Sequence, residues 1–247
     1  MIVRHKLNNI TFLTGTSDDL IKVIYSKIAT KSSQIILPCS LFDFSQSNKN
    51  DYIKRCYASL DICTTDGMPI VWWFRIKFSQ KIERVYGPEL MQNLLQKTQS
   101  KNKGHVFFGS SIETISLLKK RINIIAPNLN ALKFISPPFN QTAENLARKY
   151  TKTMQSLNPS IIWIGIGSPK QVVIASYWKK FLPHTTIICV GQAFDLISGK
   201  KSMAPHWMQK RGFEWLFRLI QEPKRLSLRY LVEIPVFLLK QLLVKVT

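Results

Sequence analysis

Asp61-Ile62-Cys63-Thr64-Thr65-Asp66-Gly67-Met68-Pro69-Ile70-Val71-Trp72-Trp73 is the stretch from which the fold can be read. It predicts a buried strand, a tight turn and a helix that starts at Pro69. Proline is tolerated in the first helical turn because its missing N–H would have no partner there. Gly67 lets the chain turn where a side chain would obstruct. Asp66 is thereby placed on a strand-to-helix loop, where open α/β sheets hold their ligands. A plain helix N-cap role for Asp66 accounts for the local pattern as well, and on this stretch alone both roles stay open.

Outward from it, the same strand–turn–helix unit recurs. His105-Val106-Phe107-Phe108-Gly109-Ser110-Ser111 predicts a strand and a glycine turn, with Ser110 and Glu113 at capping-box spacing for the next helix. Ile161 to Gly165 is continuously apolar, as in a strand covered on both faces. It leads into Ile166-Gly167-Ser168-Pro169-Lys170-Gln171, where Ser168 is expected to cap and Pro169 to open a helix. Gly165 and Gly167 permit close backbone approach, and a helix N-terminus with a lysine beside it suits an anion. The motif is neither a dinucleotide GxGxxG, since position 170 is lysine, nor a Walker A loop.

Thr186 to Gly191 is the last strand, followed by Gln192-Ala193-Phe194-Asp195, which puts a second carboxylate just past a strand end. Earlier segments predict a strand pair and a helix over Asp18 to Thr30 capped by Ser17 or Asp18, a strand over Gln34 to Leu37, and a helix around Asp51 to Ala58. Arg84-Val85-Tyr86-Gly87-Pro88 predicts a short strand and turn before a helix through Lys97. Leu132 to Ile135 predicts another strand, and Thr142 to Leu157 a helix. The alternation predicts an α/β fold: a Rossmann-like, largely parallel sheet with helices on both faces.

Thirty-five Lys plus Arg face fourteen Asp plus Glu, a formal charge of +21 in 247 residues, 45% of them hydrophobic. That balance calls for an anionic partner, whether nucleic acid, an anionic membrane surface or a phosphorylated substrate. Cys39, Cys56, Cys63 and Cys189 have no paired spacing and are expected to be reduced cytosolic thiols. With four scattered histidines, no metal site or cofactor is suggested. No signal peptide is expected at the N-terminus, and no apolar run reaches the roughly 18 residues of a spanning helix. The most apolar stretch, Val232 to Val246, is broken by Glu233, Pro235 and Lys240.

Composition shifts at Lys200, dividing a core of residues 1–199 from an appendage of 200–247. The appendage has ten Lys or Arg against three Glu, interleaved with Trp207, Phe213, Trp215, Phe217, Tyr230 and Phe237. On a helical wheel Arg211, Arg218, Arg225 and Arg229 fall within about 40° of one another, and Pro223 should split the helix. A solvated basic face, a membrane-surface segment and an arginine clamp for a pyrophosphate all fit this pattern, and the last two are compatible. An apolar tail of this kind is also expected to bury itself against a second copy in solution, giving a homo-oligomer.

Several ordered blocks resemble the WecB/TagA/CpsF glycosyltransferases, glycosyltransferase family 26. They are Thr65-Asp66-Gly67-Met68-Pro69-Ile70-Val71-Trp72, Arg84 to Leu90, Gly165 to Gln171, Gly191 to Asp195, and Ala204-Pro205-His206-Trp207-Met208-Gln209 with Glu214 to Leu219 and Glu222 to Arg225. The resemblance spans residues 34 to 235 and, in wording, is similar to the branch of exopolysaccharide operons. It implies an inverting, metal-independent enzyme that moves a sugar from a UDP-sugar donor to a polyprenyl-pyrophosphate-linked acceptor. The products of such enzymes enter teichoic acid, surface antigen or exopolysaccharide. It further implies peripheral attachment to the inner face of the cell membrane.

By the same resemblance Asp66 is the general base and Arg84 its catalytic companion. Gly109, Gly165, Gly167, Ser168, Pro169, Lys170, Gln171, Gly191, Phe194 and Asp195 border the donor. Arg211, Arg218, Arg225 and Arg229 meet the acceptor pyrophosphate or the membrane. Pro38-Cys39-Ser40 departs from the family's Thr-x-Asn, and Val172 stands where glutamate usually follows the PKQ element. Two other classes are weighed against this one. A basic RNA-binding protein fits the charge but shows no RNP, KH or zinc signature, so no nucleic-acid partner is expected. A dinucleotide oxidoreductase lacks the third glycine of its motif.

Overall fold

The computed structural model describes residues 2–7, 10–30, 32–101 and 103–243; the expectations that fall on Lys245 and Val246 lie outside the described residues. Among the described residues eight strands form one sheet: β1 (Val3–Leu7), β2 (Ile10–Thr14), β3 (Gln34–Cys39), β4 (Ile62–Thr65), β5 (His105–Gly109), β6 (Ala131–Ile135), β7 (Ile161–Gly165) and β8 (Thr186–Cys189). Their spatial order is β1-β2-β4-β3-β8-β7-β5-β6. Among the described residues the β1–β2 hairpin alone is antiparallel, and the other pairings are parallel.

The helices of the first part are α1 (Ser17–Ala29), α2 (Leu41–Gln46), α3 (Asp51–Ala58), α4 (Met68–Phe78), α5 (Gly87–Thr98), α6 (Ile112–Ile125), α7 (Ala143–Leu157), α8 (Lys170–Lys179) and α9 (Ala193–Ile197). Strand residues alternate between two cores, as the period of two requires. Ile35, Leu37, Val106, Phe108, Ile162 and Ile164 face one, with side chains of α2, α3, α4, α7 and α8. Ile36, Phe107, Ile161, Trp163 and Ile188 face the other, with α1, α5, α6 and α9. The doubly covered sheet expected from the apolar strands is thus the one observed.

The C-terminal region continues as α10 (His206–Lys210), α11 (Glu214–Gln221), α12 (Pro223–Leu228), a π-helical turn at Arg229–Glu233 and α13 (Ile234–Leu243). Pro223 does break the helix. Ile234 and Phe237 of this region pack on the first core, Phe237 meeting Phe44 of α2 edge-on at 5.5 Å.

Several local expectations are corrected. Thr16, not Ser17 or Asp18, caps α1. Residues 84–86 form no strand; isolated bonds from Glu83 N to Gly15 O and from Val85 N to Thr65 O hold the segment instead of a ladder. Ser111, not Ser110, caps α6, because Ser110 sits at φ 59 and turns its hydroxyl elsewhere. Ser168 does not cap α8, which starts at Lys170 without a side-chain cap.

Candidate active site

The C-terminal ends of β3, β4, β7 and β8 open onto a polar cavity of about 410 Å³, lined by Ser40, Asp43, Asp66, Gly167, Gln171 and Asp195 among others. A second, apolar cavity of about 260 Å³ lies between the start of α4 and the C-terminal helices. Met68, Pro69, Trp215, Tyr230, Ile234 and Leu238 line it. The two share Ser40, Phe42, Asp66, Arg218 and Arg229. Asp66 therefore faces a polar chamber on one side and a greasy one on the other.

The N-cap of α4 is Gly67, at φ 90, with no side-chain cap bond. That removes the cap role of Asp66 left open by the sequence. Its backbone N–H bonds Cys39 O at 2.8 Å, fixing it to the neighbouring strand end. Its carboxylate accepts instead from Arg84 Nε at 3.0 Å and, at 3.4 Å, from the Gly87 backbone N–H. Desolvation pushes the Asp66 carboxyl above its ordinary value, and the Arg84 charge opposes this. A raised pKa makes the carboxylate a stronger base, while Arg84 keeps it oriented.

Arg84 stacks on the Tyr86 ring at 3.9 Å and forms an ion pair with Glu214 of α11 through Nη2 at 2.7 Å. Glu214 also pairs with Arg218 one turn on, at 2.6 Å. Burial alone would push the Arg84 and Arg218 guanidiniums down, but the surrounding carboxylates outweigh it and hold both above the ordinary value. The row Asp66–Arg84–Glu214–Arg218 ties the C-terminal region to the strand-end carboxylate.

Arg229 is different. Burial lowers its pKa, it lies over the Phe42 face at 3.7 Å, its Nε has no partner, and Nη2 reaches only Ser40 Oγ at 3.5 Å. A half-buried cation with an unmet donor on a cavity wall is suited to an anion. Arg225 also lines the polar cavity while held by Glu222 at 2.6 Å. Lys201 bridges Asp195 at 2.8 Å and Glu222 at 3.0 Å, latching the C-terminal helices to α9.

Of the sequence-predicted residues, Gly165, Gly167, Ser168, Gln171, Gly191 and Asp195 line the polar cavity, and Arg84 lines the apolar one. Others are used for packing. Gly109 lies beside Gly165, where a Cβ would come within 2.5 Å of the Gly165 backbone, and a Cβ on Gly165 would strike the Phe194 ring at 2.4 Å. Phe194 is fully buried in the second core rather than in the cavity. Pro169 lines neither cavity. Lys170 is turned outward, donating to Gln141 O at 3.1 Å. Arg211 is exposed and lines neither cavity, because the chain bends at Gly212, φ 76, and leaves the helical wheel that aligned it with Arg218.

Asp43, Glu214, Lys201 and Glu222 were given no site role from the sequence. Asp43 lies in the short helix α2. Its only local signal was Ser40 three positions earlier, the spacing of a cap, and that cap is formed.

The family model of the Glycosyl transferase WecG/TagA/CpsF family matches residues 5–247. An N-acetylglucosaminyldiphosphoundecaprenol N-acetyl-beta-D-mannosaminyltransferase of Bacillus subtilis (strain 168) is 25% identical over 182 residues, which cover 74% of this chain and 69% of that protein.

Proposed function

The chain belongs to the WecG/TagA/CpsF glycosyl transferase family, and from that premise we propose that it moves a sugar from a UDP-linked donor to a sugar carried on undecaprenyl diphosphate during cell-envelope polysaccharide synthesis. The observation that supports this most is the position of Asp66 on the wall between a polar and an apolar cavity. The sugar nucleotide occupies the polar cavity, with its diphosphate toward Arg218, Arg225 and Arg229. The acceptor enters from the apolar side, its prenyl chain along Trp215, Tyr230 and Leu238.

Asp66 takes the proton of the acceptor hydroxyl as that oxygen bonds to the anomeric carbon. The bond from that carbon to the diphosphate breaks, and the electron pair leaves with UDP. The arginines neutralise the charge that develops there. Attack from one cavity and departure into the other is a single displacement, which inverts the anomeric centre. The family branch points to an exopolysaccharide as the product.

Residues 1–199 act as the catalytic core and 200–247 as the part that docks on the inner face of the membrane. No helix among the described residues is long and apolar enough to cross a bilayer. In α11 the outward residues are apolar: Trp215 and Leu216 are exposed, and Ile220 is 71% exposed. Such a face lies on an anionic membrane surface, with Lys and Arg at its rim. Away from the membrane a second copy of the chain is the alternative cover.

The test is UDP release from a panel of UDP-sugars, with an undecaprenyl-diphosphate-linked acceptor, in EDTA. Wild type turns over without added metal. Asp66→Asn loses on the order of 10²- to 10⁴-fold in kcat, the usual weight of a general base, with unchanged thermal unfolding. In wild type the acid limb of kcat/KM lies above the ordinary carboxylate range, following the upward shift of Asp66. Full activity in Asp66→Asn removes this carboxylate from the mechanism.

A further inference from the structure

Gln171 keeps one buried oxygen without a partner. The residue is 4% exposed, its Oε1 makes no hydrogen bond, and it lines the polar cavity beside Gly191. Why the amide sits this way round follows from counting protons. Asp43 is itself buried, and a carboxylate can only accept. Its Oδ2 takes the Ser40 backbone N–H at 2.9 Å and the Ser40 hydroxyl, and its Oδ1 takes the Ser168 hydroxyl. Ser168 has a single hydroxyl proton, committed to Asp43, so toward Gln171 its oxygen can only accept. Gln171 Nε2 donates to it at 3.1 Å. The other end of the amide, Oε1, is then left without a partner in a side chain that lines the cavity.

We infer that Asp43 is a positioning residue which, through Ser168, sets the polarity of Gln171, so that Oε1 requires a hydrogen-bond donor from the sugar nucleotide. The donor is a hydroxyl or an N–H. The inference rests on the polar cavity being the donor site. A buried acceptor left unmet is costly, so a ligand that satisfies it is favoured and one that presents an acceptor is rejected.

Two substitutions test the polarity itself. Asp43→Asn keeps the bond from Ser40 N–H through the amide oxygen and turns an NH₂ toward Ser168. Ser168 then accepts there and gives its proton to Gln171, whose amide turns over and shows Nε2 to the ligand. Adding Gln171→Glu returns an acceptor to the cavity and restores the net charge. UDP, UDP-N-acetylmannosamine, UDP-N-acetylglucosamine and UDP-glucose are titrated against wild type, D43N and D43N/Q171E by fluorescence.

For the probe that wild type binds most tightly, D43N is expected to weaken binding at least about tenfold, and the double variant to recover to within about threefold. A loss shared by UDP puts the donor group on the uridine; a loss confined to the sugar nucleotides puts it on the transferred sugar. Unchanged affinity in D43N, or no recovery in the double variant, overturns the inference. The relay is also read without ligand. The Gln171 side-chain amide signals, identified by their absence in Q171E, should shift in D43N and in Ser168→Ala, and unmoved signals overturn it. A wild type that binds none of the four nucleotides instead overturns the donor-site premise, and the amide signals still decide the relay.

Discussion

Helices α1 and α11 are both amphipathic, and they are built inside out relative to each other. In α1, Leu20, Ile21, Ile24 and Ile28 are buried while Lys22 and Lys27 face water. In α11, Glu214 is buried and Arg218 turns inward to pair with it, while Trp215, Leu216 and Ile220 face out. A helix that covers a core hides its apolar stripe, because removing apolar surface from water drives the packing. One that hides its charges does so for a polar partner inside, here Arg84 and beyond it Asp66. Its apolar side is left for whatever covers it. Charge alone therefore misreads α11: its Arg218 lines both cavities, and its Leu216 and Ile220 face the exterior.

The comparison can be broken first at matched isoleucines. Ile24→Ala empties a fully buried site and should cost about 2–5 kcal/mol. Ile220→Ala, at a side chain that is 71% exposed, should change stability by less than about 0.5 kcal/mol. Urea unfolding of both variants decides, and equal losses would mean that α11 is covered within the protein itself.

The next effect comes from a polar group hidden on the core side. His105 is fully buried on β5; Trp163 Nε1 donates to its Nδ1 at 3.0 Å, and its Nε2 has no partner. Desolvation lowers its pKa from 6.5 to about 3. Between those values the unfolded chain binds the proton and the folded one does not. Its stability contribution is complete above pH 6.5 and is lost as pH falls toward about 3. At pH 5 the loss should be about 2 kcal/mol. Unfolding free energies from pH 7 to pH 4 should fall less steeply in His105→Gln, and parallel curves would refute this source of acid sensitivity.

The smallest effect on folding should be the largest on location. Ile220→Ser combined with Leu231→Ser, both at exposed positions, should leave unfolding within about 0.5 kcal/mol of wild type. The same pair should reduce sedimentation with anionic vesicles several-fold, since buried apolar area sets interfacial binding. Undiminished vesicle binding would take α11 and the following turn off the membrane face.

The central sheet was legible because β3, β4, β5, β7 and β8 are buried along their whole length, and glycine or proline stands near their exits, as at Gly67-Met68-Pro69 and Gly167-Ser168-Pro169. Placing Asp66 at a strand end followed from the same punctuation. What it bonds did not, because Arg84 and Gly87 come to it from across the loop. Ser110 and Ser111 are equivalent in composition, and only the left-handed backbone at Ser110 decides which caps. Asp43 stayed hidden because its decisive partner, Ser168, is 125 positions away. Arg211 was misplaced because a wheel drawn through residues 211–229 ignores the bend at Gly212.

The shared wall of the two cavities also has a pharmacological side. Ser40, Phe42, Asp66, Arg218 and Arg229 border both chambers, so a single molecule can reach into each without unfolding anything between them. An anionic head for the arginine side joined by a short linker to an apolar arm for the Trp215 side would make its second contact intramolecularly. Such linkage gains affinity through effective concentration rather than through any new contact. Under the proposed function a compound of that kind would compete with both substrates at once.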